Sequence, residues 1–262
     1  MRAAGLISAI SVVKLRSPSL LPRFFLLARS LVVCAAIFGV CVMVSVPLTA
    51  GTPTRSARFS SDAWGGVRLG TIESTVFEMA LAAVDCAVQS GSIEDPSTLM
   101  VIDYSRPSTV KRLWVFDLRE RALLYEELVA HGKGSGDNLA TRFSNEPDSN
   151  QSSLGLFLTQ DAYMGKNGYS LRLRGLDEGF NDRAYDRAIV MHGADYVSDE
   201  FAHANGRLGR SWGCPALREG VAHAIIDRVK GTGLLFAYYP DSEWLTSSRY
   251  LGDCAAARTA TR

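Results

Sequence analysis

Short apolar runs between long polar stretches fill the chain after Pro96, and they constrain its fold more than any other feature. Each run has the length of a strand rather than of a helix. The runs are Leu99–Tyr104, Leu113–Leu118, Ala122–Ala130, Leu154–Leu158, Tyr169–Leu173, Ala188–His192 and Leu234–Tyr239. Asp117–Arg121, between two of them, predicts the turn of a hairpin. The pattern predicts a mostly-β domain with a few helices.

Two segments carry helical periodicity instead. In Thr71–Ser90 the apolar residues recur at helical spacing, and Gly91 follows as a stop signal. Leu217–Val229 has the same kind of spacing. We therefore expect residues 71–251 to form one domain that begins with a helix, and residues 252–262 to form a tail.

The N-terminal part of the chain has the pattern of an export segment. Ser30–Ala50 is uncharged, and basic residues precede it, ending in Arg29. A basic flank before an apolar run is typical of a signal peptide, and the length of the run also fits a membrane anchor. A buried core helix is the remaining alternative. We expect residues 1–50 to be the signal peptide or anchor and residues 51–70 to be a linker. The domain would then be periplasmic or elsewhere in the cell envelope, and would meet the membrane only through this segment.

The charge balance excludes one class of partner. The chain has 28 basic and 27 acidic residues and a formal net charge of +1. Binding to nucleic acid relies on a strong positive excess. No nucleic-acid partner is therefore expected.

Cysteine usage suggests one free thiol. Cys34 and Cys41 lie inside the apolar run, so Cys86, Cys214 and Cys254 remain for the domain. An odd number of cysteines in an exported domain leaves one unpaired. A disulfide between Cys86 and Cys254 with Cys214 free is the simplest arrangement, although the sequence does not fix the pairing.

Cys214 and His192 are the candidates for nucleophilic chemistry. His192 ends an apolar run, and Cys214 lies between Gly213 and Pro215, just before the second predicted helix. An imidazole can take the proton of a thiol, and a helix N-terminus favours the thiolate. Gly213 permits a close backbone approach, so the amides of Gly213 and Cys214 are candidate oxyanion donors. Pro215 fits the first turn of the expected helix.

Neither Cys214 nor His192 on its own shows that the chain is an enzyme. A cysteine in this setting is also compatible with a small buried side chain, and His192 with a core histidine. A zinc site from His192, His203 and Cys214 lacks a close pair of ligands at metal spacing, so no metal and no organic cofactor is expected. The segment from Gly132 to Gly136 does not have the spacing of a phosphate loop.

The order of blocks along the chain resembles a known family. A strand that ends in His-Gly, a loop, and then Ser-x-Gly-Cys resemble the active-site motif of the YkuD-like L,D-transpeptidases, and in particular the murein L,D-transpeptidase catalytic domain family. The likeness covers roughly residues 99–251. Its blocks are Ile102–Ser105, Arg112–Leu118, Val129–Gly132, Phe143–Asn145, Ser152–Gly155, Gly179–Asn181, Arg187–Val197 and Gly206–Pro215.

The resemblance implies a fold, a reaction and roles for individual residues. The fold would be the β-sandwich or barrel of the L,D-transpeptidase catalytic domain. Cys214 would be the nucleophile, His192 the general base and the carbonyl of Gly193 the group that orients it. The substrate would be the stem peptides of peptidoglycan, with a thioester intermediate and release of terminal D-alanine. Carbapenems would inhibit such an enzyme covalently.

The chain departs from the common motif at two positions. Trp212 replaces a histidine before Gly-Cys, and Ala216 replaces an arginine two residues after the cysteine. Arg210 or Arg218 would then bind the substrate carboxylate. The further predicted substrate contacts are Ser211, Trp212, Asp195, Tyr196 and Asn181, of which the last three are equally compatible with hydrogen bonds that order loops.

Three alternative functions remain at this point. The same site would be an L,D-carboxypeptidase if water replaced the acceptor amine. A sortase-like transferase would need an arginine on a later strand, and Leu234–Tyr239 contains none. A catalytically inactive peptidoglycan-binding module would have no need for both Cys214 and His192.

Overall fold

The apolar runs form the strands of one sheet in the computed structural model, which describes residues 59–253. All side chains of the first two strands are buried, as their unbroken apolar sequence requires. The strands are β1 Thr98–Asp103, β2 Leu113–Asp117, β3 Ala122–Glu127, β4 Val129–Ala130, β5 Gly155–Gly165, β6 Gly168–Gly175, β7 Val190–Ala194, β8 Ala216–Arg218 and β9 Gly233–Tyr238.

The sheet curls almost into a barrel. Its strand order is β3-β2-β1-β9-β5-β6-β7-β8-β4. The edge strands β3 and β4 are separated in sequence by Leu128 alone, so the two edges must approach each other. Arg112 joins them: its backbone N–H donates to the carbonyl of Glu127 (3.1 Å), and its Nε donates to that of Val129 (3.1 Å). The expected fold of mostly β with a few helices is confirmed, and within it the sheet is nearly closed.

Two longer helices pack against strands of the sheet, and two shorter helices lie between β7 and β8 and after β9. They are α1 Ser74–Gln89, α2 Asp199–Asn205, α3 Glu219–Val229 and α4 Ser242–Ser247, with a 3₁₀ turn at Ser61–Trp64 and a π-helical turn at Arg249–Asp253. The helix expected at 71–90 is present as α1. The apolar stripe of α1 includes Phe77, which is buried and packs on Phe116 of β2 at a ring-centroid distance of 4.7 Å. Burying one such side chain contributes about 2 kcal/mol.

Three expectations about the elements are wrong in detail. The run Ala122–Ala130 is not one strand, because it supplies both edges of the sheet. The segment Leu217–Val229 does not begin as a helix, because its first residues belong to β8. The linker does not extend to residue 70, since Phe59 and Trp64 are buried and Trp64 packs edge-on against Phe77 and Phe116.

Most of the predictions for the two termini concern residues outside 59–253. The expected signal peptide or anchor lies outside the described residues. Between residues 59 and 253, no helix is long and apolar enough to cross a membrane. Cys86 is disulfide-bonded, and its expected partner Cys254 lies outside the described residues. Cys214 is a free thiol, as expected.

Candidate active site

Parallel pairing of β7 with β8 brings His192 and Cys214 together. His192 is opposite Ala216 in the register of the two strands, and Cys214 lies two residues before Ala216. Cys214 therefore lies in the turn that leads into β8, next to the strand that carries His192. The N–H of Val190 donates to Cys214 Sγ over 3.4 Å, which fixes the sulfur at the start of β7. Both side chains line one cleft of about 920 Å³.

The turn before Cys214 is closed by the hydroxyl of Ser211. This hydroxyl donates to the carbonyl of Cys214 (2.6 Å) and accepts from the N–H of Gly213 (3.1 Å). Gly213 has a φ of +124°, and a Cβ there would lie 2.9 Å from the carbonyl oxygen of Gln151, so only glycine fits. The N–H of Gly213, expected as an oxyanion donor, is therefore engaged by Ser211. The amide of Cys214 is the remaining candidate donor.

The expected helix N-terminus at Cys214 is absent. Pro215 precedes β8, and α3 begins only at Glu219 with Arg218 as its N-cap. The hydrophobic spacing after Pro215 is compatible with a helix or a strand, and pairing with β7 makes residues 216–218 a strand. No helix dipole therefore acts on the sulfur from this direction.

The imidazole of His192 is held in one orientation. Its Nδ1 lies 2.8 Å from the carbonyl oxygen of Gly193. A carbonyl only accepts, so Nδ1 carries the hydrogen and Nε2 is left with a lone pair. Burial lowers the pKa of His192, while the bond to Gly193 opposes that shift. A neutral imidazole with a free Nε2 is the form that a general base requires.

Cys214 is held as a thiol in the resting state. Its side chain is buried, and burial raises the pKa of the thiol. The N–H of Val190 and the positive charge of Arg187 act in the opposite direction. A thiol beside a neutral imidazole can pass its proton to that imidazole when an electrophile arrives.

Most of the predicted site residues lie in the cleft. Those that line it are His192, Gly193, Asp195, Tyr196, Arg210, Ser211, Trp212 and Cys214. Trp212 is 75% exposed at the cleft, with the ammonium of Lys133 4.6 Å from its ring centroid. Arg210 also pairs with Asp137 (2.6 Å), so part of its charge is neutralised.

Two predicted substrate contacts do not line this cleft. Asn181 is fully buried: its Oδ1 accepts from the N–H of Asp177 (2.8 Å), and its Nδ2 donates to the carbonyl of Leu156 (3.1 Å). Arg218 pairs instead with Glu127, from Nη2 to Oε1 over 2.7 Å. Asn181 therefore orders a loop, and Arg218 joins β8 to the far edge of the sheet.

The cleft contains charged residues that sequence reasoning missed. They are Lys166 at the tip of the β5–β6 hairpin, Arg187 in the loop before β7, and Glu219 at the start of α3. Arg187 belonged to one of the familiar blocks, but nothing in its spacing revealed that it would face Cys214. A contact between loops distant in sequence leaves no local pattern.

A buried polar network supports the cleft from behind. The hydroxyl of Ser152 accepts from the N–H of Gly132 (3.0 Å) and donates to the carbonyl of Gly213 (3.2 Å). Nη2 of Arg112 lies 2.8 Å from Nδ1 of His131. Because arginine only donates, that nitrogen accepts and His131 is neutral. Burial and the charge of Arg112 lower the pKa of His131 to about 4.

The side chains of this site do not form a metal centre. Within residues 59–253, no group of three or more His, Cys, Asp or Glu side chains is placed to hold a metal ion. His203 lies on α2, and His223 lies on α3, where it contacts Asp227 (3.1 Å). The cleft offers a thiol, an imidazole, backbone amides and several charged side chains.

Residues 69–238 match the family model of the L,D-transpeptidase catalytic domain. No curated protein matches the chain significantly. Among solved structures, an L,D-transpeptidase from Mycobacterium smegmatis is similar at 14% identity and a TM-score of 0.35, over 55% of this chain and 59% of that one. L,D-transpeptidase 1 of Mycobacterium tuberculosis is similar at 14% identity and a TM-score of 0.30, over 55% and 62%. Bd1075 of Bdellovibrio bacteriovorus is similar at 14% identity and a TM-score of 0.35, over 63% and 55%. This chain spans less than two thirds of the length of each of them.

Proposed function

The chain belongs to the L,D-transpeptidase catalytic domain family, and we propose that it is a cysteine acyltransferase that acts on the stem peptides of peptidoglycan. One observation carries the proposal. A neutral, oriented imidazole on β7 and a free, buried thiol just before β8, the strand that pairs with β7, line the same cleft.

The first half-reaction forms a thioester. Nε2 of His192 takes the proton of the Cys214 thiol, and the sulfur attacks the carbonyl carbon of the third residue of a tetrapeptide stem. The bond from that carbon to the nitrogen of the terminal D-alanine breaks. His192 returns its proton to the leaving amine, and D-alanine departs. The amide of Cys214 is the candidate donor to the oxyanion of the intermediate.

The second half-reaction releases the thioester. The side-chain amine of another stem attacks the thioester carbonyl and gives a proton to His192. The bond to sulfur breaks, and the thiolate recovers the proton. Water in place of the amine would make the same site an L,D-carboxypeptidase. A positioned base contributes about 100- to 10,000-fold to such a proton transfer.

The remaining cleft residues are proposed as substrate contacts. Asp195, Tyr196, Arg210 and Trp212 surround the nucleophile on surfaces that a peptide can reach. Alanine at any of them is expected to raise KM more than it lowers kcat, since they would bind the substrate without taking part in proton transfer. A fall in kcat alone would assign them another role.

The substrate location adds a requirement. Peptidoglycan lies outside the cytoplasm, so the proposal needs export of the domain, for which Ser30–Ala50 is the candidate signal or anchor. Cell fractionation tests this part of the proposal. Recovery of the protein only in the cytoplasm would contradict it.

Mass spectrometry of muropeptide products tests the function. The wild-type protein is expected to release D-alanine from tetrapeptide muropeptides, and Cys214→Ala is expected to lose this activity by several orders of magnitude. Cross-linked dimers identify a transpeptidase, and tripeptides alone identify a carboxypeptidase. His203→Ala, a change outside the cleft, is the matched control. Activity in Cys214→Ala equal to wild type would overturn the proposal.

A further inference from the structure

The surroundings of Cys214 disfavour a negative charge on its sulfur. Its side chain is buried, no helix begins behind it, and its partner His192 is neutral at rest. A thiolate in such a place needs a positive charge nearby, because burial disfavours the charged form. The candidate must lie within a few ångströms of the sulfur.

Arg187 is placed to meet this need. It is half-buried and lines the same cleft as Cys214. Its Nη2 lies 3.5 Å from the point where a Cβ on Gly213 would be, so the guanidinium is next to the turn that carries the nucleophile. The residue after it, Ala188, has a φ of +54°, a left-handed conformation that alanine adopts only under constraint.

The guanidinium is also fixed by hydrogen bonds. Nη1 donates to the carbonyl of Ser144 (2.7 Å) and to Oγ of Ser153 (2.6 Å). Nη2 donates to the carbonyl of Gln151 (2.7 Å) and to Oγ of Ser149 (3.2 Å). The four bonds tie residues 144–153 to the wall of the cleft. The carbonyl of Gln151 is the same atom that excludes a side chain at Gly213.

We propose that Arg187 is a positioning residue of this site, whose guanidinium holds the loop of residues 144–153 against Gly213 and supplies the positive charge that stabilises the Cys214 thiolate. The inference rests on the proposed function, in which Cys214 is the nucleophile.

The other charged groups around the thiol do not replace Arg187. Tyr104 and Tyr196 face Cys214, and burial raises the pKa of both, that of Tyr196 to about 12, so they are neutral. Asp195 and Glu219 in the cleft are acidic side chains, which cannot supply a positive charge. Glu146 also acts on the charge of Arg187, but it is mostly exposed and forms its ion pair with Arg183 (2.7 Å).

Two further cations line the cleft. Arg210 is paired with Asp137, and Lys166 belongs to the tip of the β5–β6 hairpin. Arg187, by contrast, is fixed next to Gly213 by its hydrogen bonds to the loop of residues 144–153.

Alkylation of Cys214 by iodoacetamide, followed across neutral and alkaline pH, tests the proposal on the full chain. The readout is the modified peptide of residues 211–218, so other thiols do not interfere. Arg187→Gln is expected to slow alkylation at neutral pH about tenfold and to move the pH midpoint upward. Arg187→Lys keeps the charge and is expected to keep most of the rate.

Two further variants distinguish the effect of the positive charge of Arg187 from its effect on the conformation of the loop of residues 144–153. Arg142→Gln removes an exposed arginine just before that loop, whose Nε donates to the carbonyl of Gly134, and it is expected to leave the profile unchanged. Glu146→Gln removes the carboxylate that acts on the charge of Arg187, and it is expected to speed alkylation, which also provides the test if Arg187→Gln fails to fold. The proposal is overturned if Arg187→Gln matches wild type, if the Lys and Gln variants slow equally, or if Glu146→Gln leaves the rate unchanged or slows it. Absence of D-alanine release from a wild-type protein that alkylates as expected would refute the proposed function instead.

Discussion

The hydroxyl of Ser211 donates a 2.6 Å hydrogen bond to the carbonyl of Cys214 and so closes the turn that holds the nucleophile. The same oxygen accepts from the N–H of Gly213. In Ser211→Ala both backbone groups lose a buried partner, at a cost of about 1–3 kcal/mol. We expect a lower melting temperature and a loss of D-alanine release that exceeds the loss of folded protein. Ser247→Ala, at an exposed serine of α4, is the control. Full activity of Ser211→Ala would show that the turn keeps its shape without this hydroxyl.

Gly213 is expected to tolerate no side chain. Its φ of +124° and the nearby carbonyl of Gln151 leave no room for a Cβ, so Gly213→Ala should cost about 1–3 kcal/mol and displace the nucleophile. Gly220, in α3 with open space around it, is the matched control. There the change to alanine should be neutral or stabilising by about 1 kcal/mol. Chemical denaturation of both variants measures the difference, and equal effects at the two positions would contradict the account.

The pH profile of kcat/KM should be bell-shaped, with its acid limb shifted to lower pH and its alkaline limb shifted to higher pH. Activity requires one shared proton on the pair of His192 and Cys214. Burial lowers the pKa of the imidazole, so the acid limb should lie below its ordinary value of 6.5. Burial raises the pKa of the thiol, so the alkaline limb should lie above the ordinary thiol range. Initial rates of D-alanine release across pH give both limbs, and an acid limb above 6.5 would mean that the imidazole is not buried as described.

Buried His131 should make the fold sensitive to acid. In the unfolded chain this histidine takes up a proton as the pH falls through about 6.5, whereas in the folded state it remains neutral until about 4. Its contribution to stability is therefore full above pH 6.5 and is lost as the pH falls from 6.5 to 4, by about 3 kcal/mol. His131→Asn, which keeps an acceptor for Arg112, should flatten this dependence in urea titrations. His203→Asn, at an exposed histidine, should not, and equal slopes in all three proteins would rule out this role of His131.

The sequence revealed the parts of the site that depend on local pattern. Apolar runs and the glycine and proline signals between them predict the strand that ends near His192 and the loop after it. The odd number of cysteines predicts one free thiol, for which Cys214 is the simplest choice. The family resemblance, and not the local pattern, implies that the carbonyl of Gly193 orients His192, and the 2.8 Å hydrogen bond is present.

The other features of the site depend on contacts between residues that are far apart in the sequence. The segment after Pro215 has a spacing compatible with either helix or strand, and only its pairing with β7 makes residues 216–218 a strand. Arg218 was expected in the cleft, but an ion pair with Glu127, on the opposite edge of the sheet, draws it away. Arg187 reaches its four partners across more than thirty residues of sequence.

Capture of the acyl-enzyme tests the central claim most directly. The full protein is incubated with a carbapenem or with a tetrapeptide muropeptide, quenched in acid and digested with trypsin. The account predicts that the peptide of residues 211–218 gains the mass of the acyl group on Cys214, and that His192→Ala slows this gain by about 100-fold or more. An active protein whose acyl group is found on another residue, or that turns over without modification of Cys214, would contradict it.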